Sequence, residues 1–320
     1  RINGADRDEL EAWGLMADLA FRTKDYTQAA AWGIRALDAL QISGDKRNIN
    51  KSSLYGIVGR AYAQLNAYSL AINYLEKTVD VPSRGLVREE RVENQFYLGQ
   101  CYAAMGQNKK VIEVLSPIKD AGRIAQDVAY IMAGAYLALD QKTEALNAYK
   151  KACDPQIERP FSAQAHYQYA KLTYDLRLSY TSVPKVLASF FQRYPSHPKS
   201  AEVEQWWLEV LLESENYQQV ITYLQDKSLL SANQLGNKRQ MALQRAYFLE
   251  GQQLYAQGQS ALARISFEQS QKINLSNLIG AQAAFWTAVI LSETAAYQKA
   301  IVIFDRLQTL GVFQQAPEWT

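Results

Sequence analysis

Apolar residues recur three and four positions apart along most of the chain, in blocks interrupted by short polar turns. That spacing puts side chains on one face of an α-helix, and no stretch alternates with the period of two that marks a strand. The blocks also resemble one another. Tyr55–Ala71, Gln95–Val111 and Ala129–Ala145 each carry a small residue (Gly59, Gly99, Ala133), a Tyr three positions later (Tyr62, Tyr102, Tyr136), a polar turn, and a small or apolar residue nine positions after the Tyr (Ala71, Val111, Ala145). The pattern predicts pairs of helices that approach closely at the small residues, with large rings filling the space between neighbouring pairs.

Eight copies can be placed, at approximately residues 10–41, 52–83, 92–122, 126–155, 164–195, 201–228, 244–273 and 281–311. One reference position falls at Ala29, Ala71, Val111, Ala145, Val183, Val220, Ala263 and Ala300, in steps of 42, 40, 34, 38, 37, 43 and 37 residues. A single helix pair cannot bury both of its faces, so such units are expected to stack. The order of aromatic, small residue, Tyr, turn and second small residue resembles the tetratricopeptide repeat, whose unit is about 34 residues. Most units here are longer. The resemblance spans nearly the whole chain and implies one all-α, right-handed superhelical solenoid over residues 1–320. Asp80–Arg91 and Asp226–Gln240 are polar and read as loops or lengthened helices. Tyr26, Tyr68, Tyr217 and Tyr297, each at the start of a second helix, are expected to lie back on the first.

The resemblance also implies a concave face lined by the first helix of each pair, at positions one, five and eight past the unit's first aromatic or apolar position. In copy two these are Gly56, Arg60 and Ala63. Elsewhere the rule selects Phe96 and Gln100, Tyr130, Gln168 and Asp175, Gln205 and Glu209, and Phe248, Gln252 and Tyr255. Aromatic rings and amides suit an extended peptide or a partner helix, because an amide donates to and accepts from a peptide backbone at once. A row of Lys, Arg and Asn that would grip a C-terminal carboxylate is missing, and Arg60 alone does not supply one.

Two features concern the wider setting. The last residues, Leu310–Thr320, are apolar where a solenoid cap is polar, and the chain starts at Arg1, so a piece of a longer repeat protein is expected. The Tyr194-Pro195-Ser196-His197-Pro198 run is similar to repeat ends in long exported repeat proteins of Bacteroidetes-type bacteria. That likeness implies a periplasmic or outer-membrane-associated location, with a cytoplasmic one as the alternative.

Composition narrows the functional classes. Lys and Arg total 34 against 32 Asp and Glu, a net charge of +2, without the basic excess of a nucleic-acid binder. No run reaches the ~18 apolar residues of a bilayer-spanning helix. Cys101 and Cys153 form no metal or disulfide pattern and read as small buried hydrophobes. His166 reads as a helix-surface residue and His197 as a loop residue, while Glu89–Glu90 and Glu202/Glu204 read as solvated charge. No phosphate-binding loop, HExxH or nucleophile elbow occurs. The expectation is a non-enzymatic scaffold that needs no cofactor and binds a protein or peptide. Two alternatives remain open: a helical regulatory domain of an enzyme whose catalytic part lies elsewhere, and a glycan-binding module using exposed Trp206, Phe96 and Tyr130.

Overall fold

The computed structural model describes residues 7–42, 51–80, 88–118, 121–153, 157–177, 182–226 and 236–310. Residues 81–87 of the Asp80–Arg91 stretch, 227–235 of the Asp226–Gln240 stretch and the terminal residues 311–320 lie outside them. Sixteen α-helices and a single 3-10 turn, Gly122–Ile124, account for most of the described residues, and none of these residues forms a strand. The chain divides into two compact units, Arg1–Asp175 and Leu176–Thr320.

In the N-terminal unit the helices are α1 (Arg7–Arg22), α2 (Tyr26–Ile42), α3 (Lys51–Gln64), α4 (Tyr68–Asp80), α5 (Arg88–Ala104), α6 (Asn108–Leu115), α7 (Ala125–Ala138), α8 (Lys142–Ala152) and α9 (Ser162–Leu176). From α1 to α8 each helix packs on the next, and α1, α3, α5 and α7 also touch in sequence. The first helices of successive pairs therefore stand side by side. The C-terminal unit contains α10 (Val183–Arg193), α11 (Ser200–Glu213), α12 (Tyr217–Gln225), α13 (Asn237–Ala256), α14 (Ser260–Ile273), α15 (Leu278–Glu293) and α16 (Tyr297–Leu310). The same arrangement recurs there, with α11, α13 and α15 in sequence.

Turn geometry explains the nine-residue spacing. In seven pairs the first helix ends with a residue in the left-handed region: Lys24, Asn66, Gly106, Asp140, Glu215, Gly258 and Ala295, with φ between 58° and 75°. The next backbone N–H donates five residues back, to the carbonyl of Ala20, Tyr62, Tyr102, Tyr136, Leu211, Leu254 or Leu291, at 2.8–2.9 Å. This is the Schellman closure, which satisfies an otherwise orphaned helix-end carbonyl. The accepting residue is in each case the one nine positions before the reference position. The closure starts the second helix at a fixed offset and brings the reference residue onto the first helix. All eight reference residues are buried.

Small residues then set the approach of the two helices. A β-carbon on Gly59 would lie 2.6 Å from Leu75, and one on Gly251 would lie 2.7 Å from Phe267. In both cases the partner is sixteen residues further on, and glycine is the side chain that leaves it room. Leu75 and Phe267 are fully buried as a result.

Some expectations need correcting. His166 is buried, its ring 6.4 Å from that of Tyr169. Glu204 is buried as well: its carboxylate accepts from Tyr223 Oη at 2.7 Å and pairs with Arg239 at 2.6 Å, so a neutralising partner replaces water. Arg239 belongs to α13, which begins three residues before the end of the Asp226–Gln240 stretch. Tyr26 does lie back on α1, its ring 5.5 Å from Phe21, but Tyr297 is 61% exposed. Cys101 is buried and Cys153 half-buried.

Candidate functional site

Two adjoining grooves follow the first-helix face of the N-terminal unit. The first, of about 880 Å³, runs between α1 and α5 over α3. Its floor is Leu54, Ile57 and Arg60. Arg60 is only 6% exposed. Its Nη1 donates to Glu93 at 2.8 Å, and its guanidinium carbon sits 5.2 Å from the centre of the Phe21 ring. Glu93 also lies 3.5 Å from Arg123, and Glu90 accepts from Ser53 Oγ at 2.7 Å. Five carboxylates and three guanidinium groups line this groove, a net charge of −2. From α1 it is also lined by Leu15, 71% exposed.

The second groove, of about 480 Å³, is aromatic and amide-rich and lies over α3, α5 and α7. Tyr130 stacks on Phe161 with centroids 4.5 Å apart and planes 14° from parallel. Phe96 meets Tyr97 edge-on at 5.8 Å, and Gln64 Nε2 donates to Tyr97 Oη at 2.9 Å. Gln100 is exposed at the rim. Stacked rings held this way offer flat apolar faces at low entropic cost, and the neighbouring amides can satisfy a peptide backbone.

The structure thus brings Ala63, Phe96, Gln100 and Tyr130 into one groove and sets Arg60 in its neighbour. Gly56, from the same rule, is instead buried beneath Asn94. The remaining candidates line neither groove. Gln168 is half-buried and Asp175 exposed on α9; Gln205 is half-buried on α11 and accepts from Lys238 Nζ at 3.2 Å, and Glu209 is exposed. Gln252 is exposed on α13, where Tyr255 donates from its hydroxyl to Glu293 at 2.5 Å. Phe248 departs from the expected surface position. It is buried against Ala263, Ala283 and Phe267, because Gly251 admits the Phe267 ring close to α13 and Phe248 packs on that ring at 5.9 Å.

Several groove residues escaped the sequence reading. The one-five-eight spacing taken from Trp13 selects Gly14, Asp18 and Phe21, all of which line the first groove. Phe161 precedes α9 and carries no helical signal. Trp206, Phe96 and Tyr130 are all half-buried, and Trp206 lines neither groove. Among the described residues no group of three or more His, Cys, Asp or Glu converges as a metal site, and no helix is long and apolar enough to cross a membrane.

Paired helices, Schellman closures and small-residue contacts at a fixed register define a helical-repeat protein. Residues 8–83 match the sequence profile described as tetratricopeptide repeat, and residues 64–152 match that of anaphase-promoting complex, cyclosome, subunit 3. The chain has a helical-repeat fold of the tetratricopeptide type, with the family's own profile matching residues 8–83. Among solved structures it is similar to the MamA protein, at 15% identity over 61% of this chain and 95% of that one, with a TM-score of 0.45. A tetratricopeptide repeat protein from Parabacteroides merdae matches at 11% identity over 88% and 99% of the two chains, with a TM-score of 0.44. Rap protein complexed with competence and sporulation factor matches at 14% identity over 96% and 76%, with a TM-score of 0.39. No curated protein matches the sequence.

Proposed function

We propose that the chain is a non-catalytic scaffold that holds an extended peptide or a segment of a partner protein along the first-helix face of its N-terminal unit. The observation that carries this reading is the pair of adjoining grooves over α1, α3, α5 and α7, one acidic and one aromatic. A strand of peptide laid across them would rest apolar side chains on Phe96 and Tyr130 and set cationic ones beside Glu89 and Glu90. We read both units as one repeat array, supported by the reference position recurring on either side of Asp175. A cell-envelope setting rests on the Tyr194–Pro198 repeat end, and fractionation of the native cells tests it.

The binding test is a screen of immobilised ten-residue peptides (about 33 Å extended) against the full chain and against Phe96→Ala/Tyr130→Ala. Peptides retained by the wild type and weakened about tenfold or more in the variant support the reading. Equal retention by both proteins refutes it.

A further inference from the structure

We infer that the C-terminal unit carries a second, unrelated docking surface: a basic groove between α14 and α16 that receives an acidic amphipathic helix of a partner protein. The groove measures about 910 Å³ and lies over Thr287 and Leu291 of α15. Its walls are built with helical spacing. Arg264, Glu268 and Lys272 stand at every fourth position of α14, and Lys299, Val302 and Arg306 follow intervals of three and four on α16. Two such stripes flank a floor in which Leu291 is apolar and the Thr287 hydroxyl is already engaged with Gln271 Nε2 and the Ala283 carbonyl, and together they form the cradle into which a third helix nests. Glu268, the one carboxylate in the lining, is already engaged with Arg264 at 3.0 Å. Lys272, Lys299 and Arg306 are exposed and have no carboxylate within ion-pair distance among the described residues. Four cations against one carboxylate leave the lining at +3, opposite in sign to the acidic groove of the N-terminal unit. Val302, 66% exposed, adds an apolar contact between the cations. Charge of this sign selects a helix with Glu or Asp flanking a Leu-rich stripe, and the acidic groove repels the same helix.

The test is fluorescence anisotropy of the full chain with a labelled synthetic helix of about 18 residues, roughly 27 Å long, carrying Leu on one face and Glu beside it. The same helix with Lys for Glu is the control. The acidic helix should bind and the Lys helix should not. Lys272→Glu/Lys299→Glu/Arg306→Glu should weaken binding about tenfold or more, as should raising salt from low to ~0.5 M. Circular dichroism should show that the variant keeps its fold, since all three side chains are exposed. Phe96→Ala/Tyr130→Ala should leave this affinity unchanged, which separates the surface from the peptide grooves. Absence of binding, equal binding of the Lys helix, or equal binding by the triple variant overturns the assignment. So does retention on phosphatidylserine vesicles in preference to the helix, which would make the surface a membrane contact.

Discussion

Gly99 faces Leu115 across the third helix pair so closely that a β-carbon on Gly99 would lie 2.7 Å from the leucine side chain. Leu115 is 1% exposed and has nowhere to withdraw. Gly99→Ala should therefore destabilise the protein by about 1–3 kcal/mol, although alanine is the better helix former. Gly134 supplies the contrast: it is helical, exposed, and a β-carbon there would meet nothing within 4 Å. Gly134→Ala should stabilise by about 0.5–1 kcal/mol. Urea unfolding of both variants checks this, and a loss at position 134 as large as at 99 would refute the packing argument.

A buried charge anchors the start of α13. Glu204 is held by Tyr223 and by both Nε and Nη2 of Arg239, at 3.2 and 2.6 Å. Arg239→Ala should cost about 2–3 kcal/mol, below the ~3–5 of a fully buried pair because the arginine is partly exposed. Replacing the whole set, Glu204→Leu with Arg239→Met and Tyr223→Phe, should recover most of that loss. If the triple variant unfolds at a denaturant concentration no higher than Arg239→Ala, the stranded charge is not the cause.

How much of this was legible in the sequence depends on the kind of signal. Helix pairs and their register show in the recurrence of Gly59, Gly99 and Gly251, because a close approach admits few residue types. Arg60, Phe96 and Tyr130 were reachable for a related reason: the face a helical residue presents follows from its position in the turn. Burial of a charged or large residue is a different matter. Glu204 and His166 look solvated in a polar run until Arg239, 35 residues on, or the Tyr169 ring is in place. Phe248 carries the groove spacing yet is buried, because the space beside Gly251 is filled from α14. Phe161 lies outside any helix, so no periodicity marks it.

Five of the seven Schellman turns place a non-glycine residue at positive φ. An L-residue there carries about 1–2 kcal/mol of steric cost that glycine does not. Ala295, at φ 59°, makes the cleanest test, because its methyl group offers no compensating hydrogen bond. Ala295→Gly should raise stability by roughly 0.5–1 kcal/mol once glycine's greater unfolded-state freedom is counted. Gly258→Ala, at φ 75°, should do the reverse. Denaturant midpoints that shift the other way would mean the turns are not under this strain.

Alkaline pH should loosen the N-terminal unit through groups that burial keeps neutral. Burial pushes the Cys101 thiol up to about 11 from its ordinary 9, and burial, aided by the neighbouring Tyr130, pushes Tyr149 up to about 12 from 10. Tyr102 is also raised, by burial and then by its hydrogen bond to Glu76. In each case the folded state holds its proton after the unfolded chain has released it. The unfolded state then binds fewer protons, so stability falls as pH rises. The contribution is complete below pH 9, the ordinary value of the thiol, and is lost progressively up to about pH 12, the raised value of Tyr149. Tyr149→Phe should flatten the upper part of that decline while leaving stability near neutral pH almost unchanged. Urea midpoints measured at pH values across this window check it, and a Tyr149→Phe profile parallel to the wild type would assign the alkaline loss to other groups.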